Sequence, residues 1–160
     1  MITFPTNTYK QRVQQLFSRI QKGIAVFFSN DELPMNYPAN TFPFRPNSHF
    51  IYFFGIPLPS LIAVVDFDEK KTILFGNDVD IEDIIWMGSQ PTMKELASLA
   101  GIDEARPLAQ AENFLIDTLS KKRTLHFLPP YQLSQQLFLA KLLNVPVQEV
   151  KKHASVDLIK

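Results

Sequence analysis

Cysteine is absent from the 160-residue chain, which excludes disulfides and thiolate metal sites and fits a reducing compartment. Cytoplasm is therefore the expected location. Glycine is scarce, with five residues at positions 23, 55, 76, 88 and 101. They never cluster as a phosphate-cradling loop requires, so nucleotide binding by that route is excluded. Neither sign of charge is in excess, because 16 Lys and Arg balance 16 Asp and Glu. No net field draws the chain onto a phosphate backbone or an anionic membrane, and nucleic acid is not an expected partner. No apolar run approaches the roughly 20 residues that cross a bilayer, and the first residues lack the basic-then-apolar order of a secretory signal. Neither export nor a membrane span is expected.

What the chain does have is apolar and aromatic bulk. Hydrophobic residues make up 46% and charged residues 20%, the balance of a chain that folds around one core. The length suits a single domain over residues 1–160, and no repeat or Gly/Ser linker divides it. Thr8 and Gln11 have the spacing of a capping box, and Tyr9, Val13, Leu16, Phe17 and Ile20 then recur on one helical face. Gly23 stops that helix, and Ile24 to Phe28 reads as a buried strand. Residues 29–47 hold Pro34, Pro38, Pro43 and Pro46, so they form a long loop, a class of segment that usually binds or covers something.

Three strands are predicted next, over Phe50 to Phe54, Leu61 to Phe67 and Thr72 to Phe75, as an antiparallel meander. In the first of these, alternation places Phe50, Tyr52 and Phe54 on one face and Ile51 and Phe53 on the other, so both faces require cover. Part of that cover is expected from another chain or domain. A short helix is predicted from Asp80 to Gly88, and a second from a capping box at Thr92 and Glu95 to Gly101. A helix through Phe114 to Leu119, a strand at Thr124 to Leu128 and a helix from Leu133 to Asn144 complete an α/β pattern, read as one mixed sheet flanked by helices.

Catalytic motifs are lacking. The acidic stretch Asp78-Val79-Asp80-Ile81-Glu82-Asp83 has Asp83 where a calcium loop needs glycine and Ser89 where it needs a bidentate glutamate. His49, His126 and His153 follow no metal-ligand spacing, and His126 reads as a hydrogen-bonded core or edge residue. Ser48 and His49, as neighbours in a strand, would point to opposite faces and form no nucleophile–base pair. The Lys121-Lys122-Arg123 run reads as a solvated helix end. Trp86, the single tryptophan, is either a core plug or a projecting contact. No catalytic and no metal-binding residue is assigned to this chain.

The string Phe44-Arg45-Pro46-Asn47-Ser48-His49-Phe50-Ile51-Tyr52-Phe53-Phe54-Gly55 resembles the Phe-Arg-Gln-x-Ser-x-Phe-Tyr-Tyr-Leu-Thr-Gly signature of the N-terminal domain of Xaa-Pro aminopeptidases and prolidases. Tyr9, Arg12 and the Trp86-Met87-Gly88 triplet come in the order that family uses, so the resemblance covers nearly the whole chain. Pro46, His49 and Phe54 depart from it. The resemblance implies a creatinase/prolidase-type N-terminal domain, a mixed sheet with helices of ribonuclease H-like build. It implies a separate C-terminal pita-bread catalytic domain with two divalent metal ions, manganese or similar, that hydrolyses the Xaa-Pro bond. That domain lies outside this chain, and Ser155 to Lys160 read as the start of the connection to it. For this domain it implies subunit association in a homodimer or higher homo-oligomer, contact with its own catalytic domain, and shaping of a cleft for proline-containing peptides. Trp86, Arg45 and His49 are the candidate cleft-lining residues. The competing expectation is a stand-alone, non-enzymatic interaction module of the same fold.

Overall fold

A computed structural model describes residues 4–79, 88 and 90–159. Helix α1, Thr6–Arg19, buries Tyr9, Val13 and Leu16 along one stripe, the spacing of a helix that covers a sheet. Strands β1, Ile24–Phe28, β2, Ile62–Asp66, and β3, Lys71–Gly76, form an antiparallel meander. Strand β4, Glu104–Pro107, joins β3 in parallel, and β5, Leu125–Phe127, joins β1 in parallel. The resulting order is β4-β3-β2-β1-β5, a mixed sheet in which β2 alone runs against the other four.

Side chains alternate across this sheet with period two. Ala25, Phe27, Ala63, Val65 and Leu74 face a layer made by α1, by α2 at Ser48–Phe54 and by α3 at Met93–Ala100. Ile24, Val26, Val64, Ile73 and Phe75 face α4, Ala111–Ser120, and α5, Leu133–Leu143. A last short helix, α6, spans Val156–Ile159. Helices on both faces explain why β1 to β3 are almost unbroken apolar runs.

The aromatic segment is helix, not strand. Asn47 caps it, its side chain accepting from the N–H groups of His49 and Phe50, and Gly55 closes it at φ 69°. Within it Phe50 and Phe54 lie one turn apart, both fully buried, with ring centroids 5.2 Å apart. Aromatic residues favour strands only where a pleated partner is available, and here a cap at each end and one buried stripe decide for helix. The two faces expected to need outside cover are thus one buried face and one in which Tyr52 is half exposed.

Other differences are local. The Thr8 capping box is replaced by a start at Thr6 behind Pro5 with no side-chain cap. Proline fixes the entry conformation there. The capping box at Thr92 and Glu95 is present, and Gly101 ends α3 at φ 74°. Strand β4 has no alternating signal in Glu-Ala-Arg-Pro and forms by lying along β3. Arg123 is not a solvated helix end. Its guanidinium donates to Asp66 at 2.5 Å and Asp68 at 2.7 Å, and Asp68 also accepts from the Gly23 N–H. Burial opposes the charge on Asp68, but Arg123, Gly23 and Lys22 together hold its carboxyl below the usual value. The helix expected from Asp80 falls outside the described residues.

Arg12 ties α1 to α2, donating to the Tyr52 carbonyl at 2.5 Å with its guanidinium 4.2 Å from the Tyr52 ring centroid. Beside this tie, Gly55 admits no side chain. A Cβ there would sit 2.2 Å from the buried Tyr9 ring, and the backbone is left-handed. Gly55→Ala is expected to destabilise the fold by about 2–4 kcal/mol, read as a lower urea midpoint at unchanged slope. An unchanged midpoint would contradict the packing described.

Candidate functional site

Because β1, β3, β4 and β5 run in one direction, their carboxyl ends share one rim of the sheet, where the start of β2 also lies. Open α/β sheets bind ligands outside this edge. Here the rim bears residues 29–47 after β1, residues 77–79 after β3, and residues 128–132 after β5.

The polar triplet Ser29-Asn30-Asp31, directly after the buried strand, organises the rim. The Ser29 N–H donates to the Leu61 carbonyl at 2.9 Å, and the Leu61 N–H donates to Ser29 Oγ at 2.7 Å. Gln135, 5% exposed on α5, donates to the Ser29 carbonyl at 3.2 Å. Asn30, 8% exposed, donates to the Arg45 carbonyl at 2.8 Å and accepts from the Asn47 side chain at 3.5 Å. Asp31 accepts from the hydroxyls of Ser60 and Ser134 at 2.9 and 2.6 Å. Its backbone N–H and carbonyl pair with the Gln132 side chain at 2.8 and 3.2 Å. Buried backbone groups at a strand exit need such partners, and these three residues find theirs just before β2, in the segment before α2, and at the start of α5. The same bonds fix both ends of the Pro-rich loop, whose middle closes on itself through Phe42 N–H to the Leu33 carbonyl and Met35 N–H to the Asn40 carbonyl.

Two of the three candidate cleft residues sit on this rim. Arg45 is exposed, with its carbonyl anchored by Asn30. His49 is exposed in the first turn of α2 and lines a recess of about 30 Å³ with Asn47, Pro130 and Tyr131. They flank Asn47 in the chain and make no recorded contact with each other. Trp86 lies outside the described residues. A larger cleft of about 240 Å³ opens beside Asp31, between Phe28, Leu61, Leu108 and Phe138. The polar triplet and Gln132, Ser134 and Gln135 were not singled out from sequence. Their only signal there is a run of short polar residues straight after an apolar strand.

His126 is 8% exposed. Its Nε2 faces the Lys22 carbonyl at 3.1 Å, which can only accept, and its Nδ1 faces Ser155 Oγ at 2.9 Å. This is a core histidine satisfied on both nitrogens. Among the described residues, no group of three or more His, Asp or Glu is placed to hold a metal ion. The described side chains therefore do not fit the two-metal site that the resemblance places in a catalytic domain. No described helix is long and apolar enough to cross a membrane.

Fold and rim together define an α/β domain built on a five-strand mixed sheet with its loop-borne polar groups at one edge. The aminopeptidase P N-terminal domain family matches residues 9–126, and the chain belongs to it. A probable Xaa-Pro aminopeptidase of Sordaria macrospora is 24% identical over 129 residues, 81% of this chain and 22% of that protein. An uncharacterized peptidase of Saccharomyces cerevisiae is 29% identical over 108 residues, 64% of this chain and 20% of that one. Among solved structures, Escherichia coli aminopeptidase P superposes with a TM-score of 0.73 at 21% identity, over 88% of this chain and 33% of that one. Proline aminopeptidase P II from Yersinia pestis gives 0.69 at 20%, with the same coverage. At such identities these structures establish the fold. The chain spans about a fifth of the length of the curated relatives it matches and a third of the solved chains, and it corresponds to the N-terminal part of Xaa-Pro aminopeptidase-like proteins.

The bracing of the loop is open to test. Asn30→Ala strips the Arg45 carbonyl of its partner and is expected to cost about 1–2 kcal/mol. It should also speed limited proteolysis within residues 31–46. Cleavage there at the wild-type rate would show that the loop is held by something else.

Proposed function

We propose that residues 1–160 are the single, non-catalytic N-terminal domain of an Xaa-Pro aminopeptidase or dipeptidase. Hydrolysis of the Xaa-Pro bond belongs in this reading to a following pita-bread domain with two divalent metal ions, manganese or a similar metal. The observation that carries the reading is the family match over residues 9–126. The greater length of the relatives supports a further domain. The cysteine-free composition fits a cytoplasmic protein.

The domain's own work is subunit association, into a homodimer or a higher homo-oligomer, and shaping of the cleft for proline-containing peptides. Four large apolar side chains of the braced loop, Leu33, Met35, Tyr37 and Phe42, are each about half exposed. A grouped set of that kind on an ordered loop suits a protein contact better than solvent. Arg45 and His49 stand on the same rim, which suits them to a cleft wall formed against the catalytic domain, and Trp86 joins them in this reading on the strength of the matching Trp86-Met87-Gly88 triplet. An aromatic ring with a polar edge encloses a short peptide well.

The test uses the whole gene product with added Mn²⁺ on Xaa-Pro peptides. Trp86→Ala is expected to raise KM about tenfold, with smaller increases for Arg45→Ala and His49→Ala, and Tyr37→Ser with Phe42→Ser to weaken the oligomer in sedimentation. Unchanged kinetics in all three variants would remove the cleft assignment. Xaa-Pro hydrolysis by residues 1–160 alone, or a gene that ends at residue 160, would remove the reading of this domain as part of a larger peptidase and favour a stand-alone interaction module.

A further inference from the structure

Asp31 is held at every polar atom the chain can reach. Its N–H and carbonyl are paired with Gln132, and its two carboxylate oxygens each accept one serine hydroxyl, from Ser60 and Ser134. Hydroxyl donors orient a carboxylate without cancelling its charge. No described Lys, Arg or His forms an ion pair with it. The start of α5 lends some positive dipole on the Ser134 side. On the other side lies the cleft of about 240 Å³, in which Asp31 is the one ionisable side chain among the described lining residues.

The rest of that lining is mostly apolar. Phe28 and Phe138 meet edge to face at 5.7 Å between centroids, and Leu61, Ile62 and Leu108 complete the walls. The volume lies below the roughly 300–1,000 Å³ of drug-sized sites, so it suits a group the size of one side chain. An apolar stem in such walls, ended by a positive charge at a fixed carboxylate, satisfies both halves of the cleft. Aromatic walls add to the attraction for a cation. Leu33 and Leu133, which follow closely on the two anchoring segments, are 53% and 64% exposed, apolar surface that a free amine would leave uncovered and a longer chain would bury.

We propose that this cleft receives the arginine or lysine side chain of a protein partner, with the aliphatic stem between Phe28, Leu108 and Phe138 and the cationic end on Asp31. The site is separate from the Arg45, His49 and Trp86 assignment and stands or falls without the peptidase reading. Neutral tethering is the rival role for Asp31: an asparagine could make the same ties, since serine hydroxyls donate or accept equally well.

The test is an amide-resolved NMR titration of the 160-residue chain with n-butylguanidinium, with n-butanol as the uncharged control, and with the capped peptide acetyl-Gly-Arg-Gly-amide. Saturable shifts are expected at Ser29, Asp31, Ser60 and Ser134, with the peptide binding more tightly than the free cation. In Asp31→Asn, whose spectrum should remain that of the folded protein, binding is expected to weaken about fivefold to tenfold. Should that variant not fold, Leu108→Trp fills the cleft from the opposite wall with the carboxylate intact, and it too is expected to abolish binding. Equal shifts by n-butanol, wild-type affinity in Asp31→Asn or in Leu108→Trp, or a peptide that binds no better than n-butylguanidinium would overturn the proposal.

Discussion

The structure depends on how β1 leaves the core. Ile24 to Phe28 are buried between two helical layers, and the chain must emerge from there without stranding its peptide groups. An unpaired buried N–H or carbonyl costs about 1–3 kcal/mol, enough to unseat a marginally stable domain. Ser29, Asn30 and Asp31 meet that demand by bonding to Leu61 just before β2, to the segment before α2 and to Gln132 at the head of α5. One short triplet thereby sets the position of three elements and of both ends of the long loop.

The opposite end of the sheet is closed by charge. Asp66, 4% exposed, accepts at Oδ1 from Arg123 and from the N–H groups of Asp68 and Glu69. At the β4 edge, Arg106 first and Lys71 second draw the Glu104 carboxyl down to about 2. One end of the sheet is thus neutralised and tied off. At the other, Asp31, Arg45 and His49 keep polar groups turned outward, which is the asymmetry expected when loops at strand carboxyl ends carry the binding work.

Much of this was legible in the sequence. The apolar runs of β1, β2 and β3 gave themselves away because helices cover both faces, and the Thr92 box and Gly101 marked α3 with local chemistry alone. The motif around Arg45 and Asn47 led to the family. What failed has physical causes. The segment from Ser48 to Phe54 carries strand-favouring residues, yet Asn47 and Gly55 were caps in plain sight, and their local bonds outweighed propensity. Strand β4 exists only through its partner β3. Arg123 looked like one of three solvated cations because its carboxylates are more than fifty positions away in sequence. The rim network was hidden for the same reason: Ser29 and Gln135, or Asp31 and Ser134, are brought together only by the fold.

The most direct measurement is native-state hydrogen exchange on the unaltered chain, read at the amides of Ser29, Asp31 and Leu61. If the triplet braces the rim, these amides exchange as slowly as those of Ala25 and Val26 and open only with the whole domain. Exchange at the rate of an open loop at Ser29 and Asp31, with β1 still protected, would contradict it.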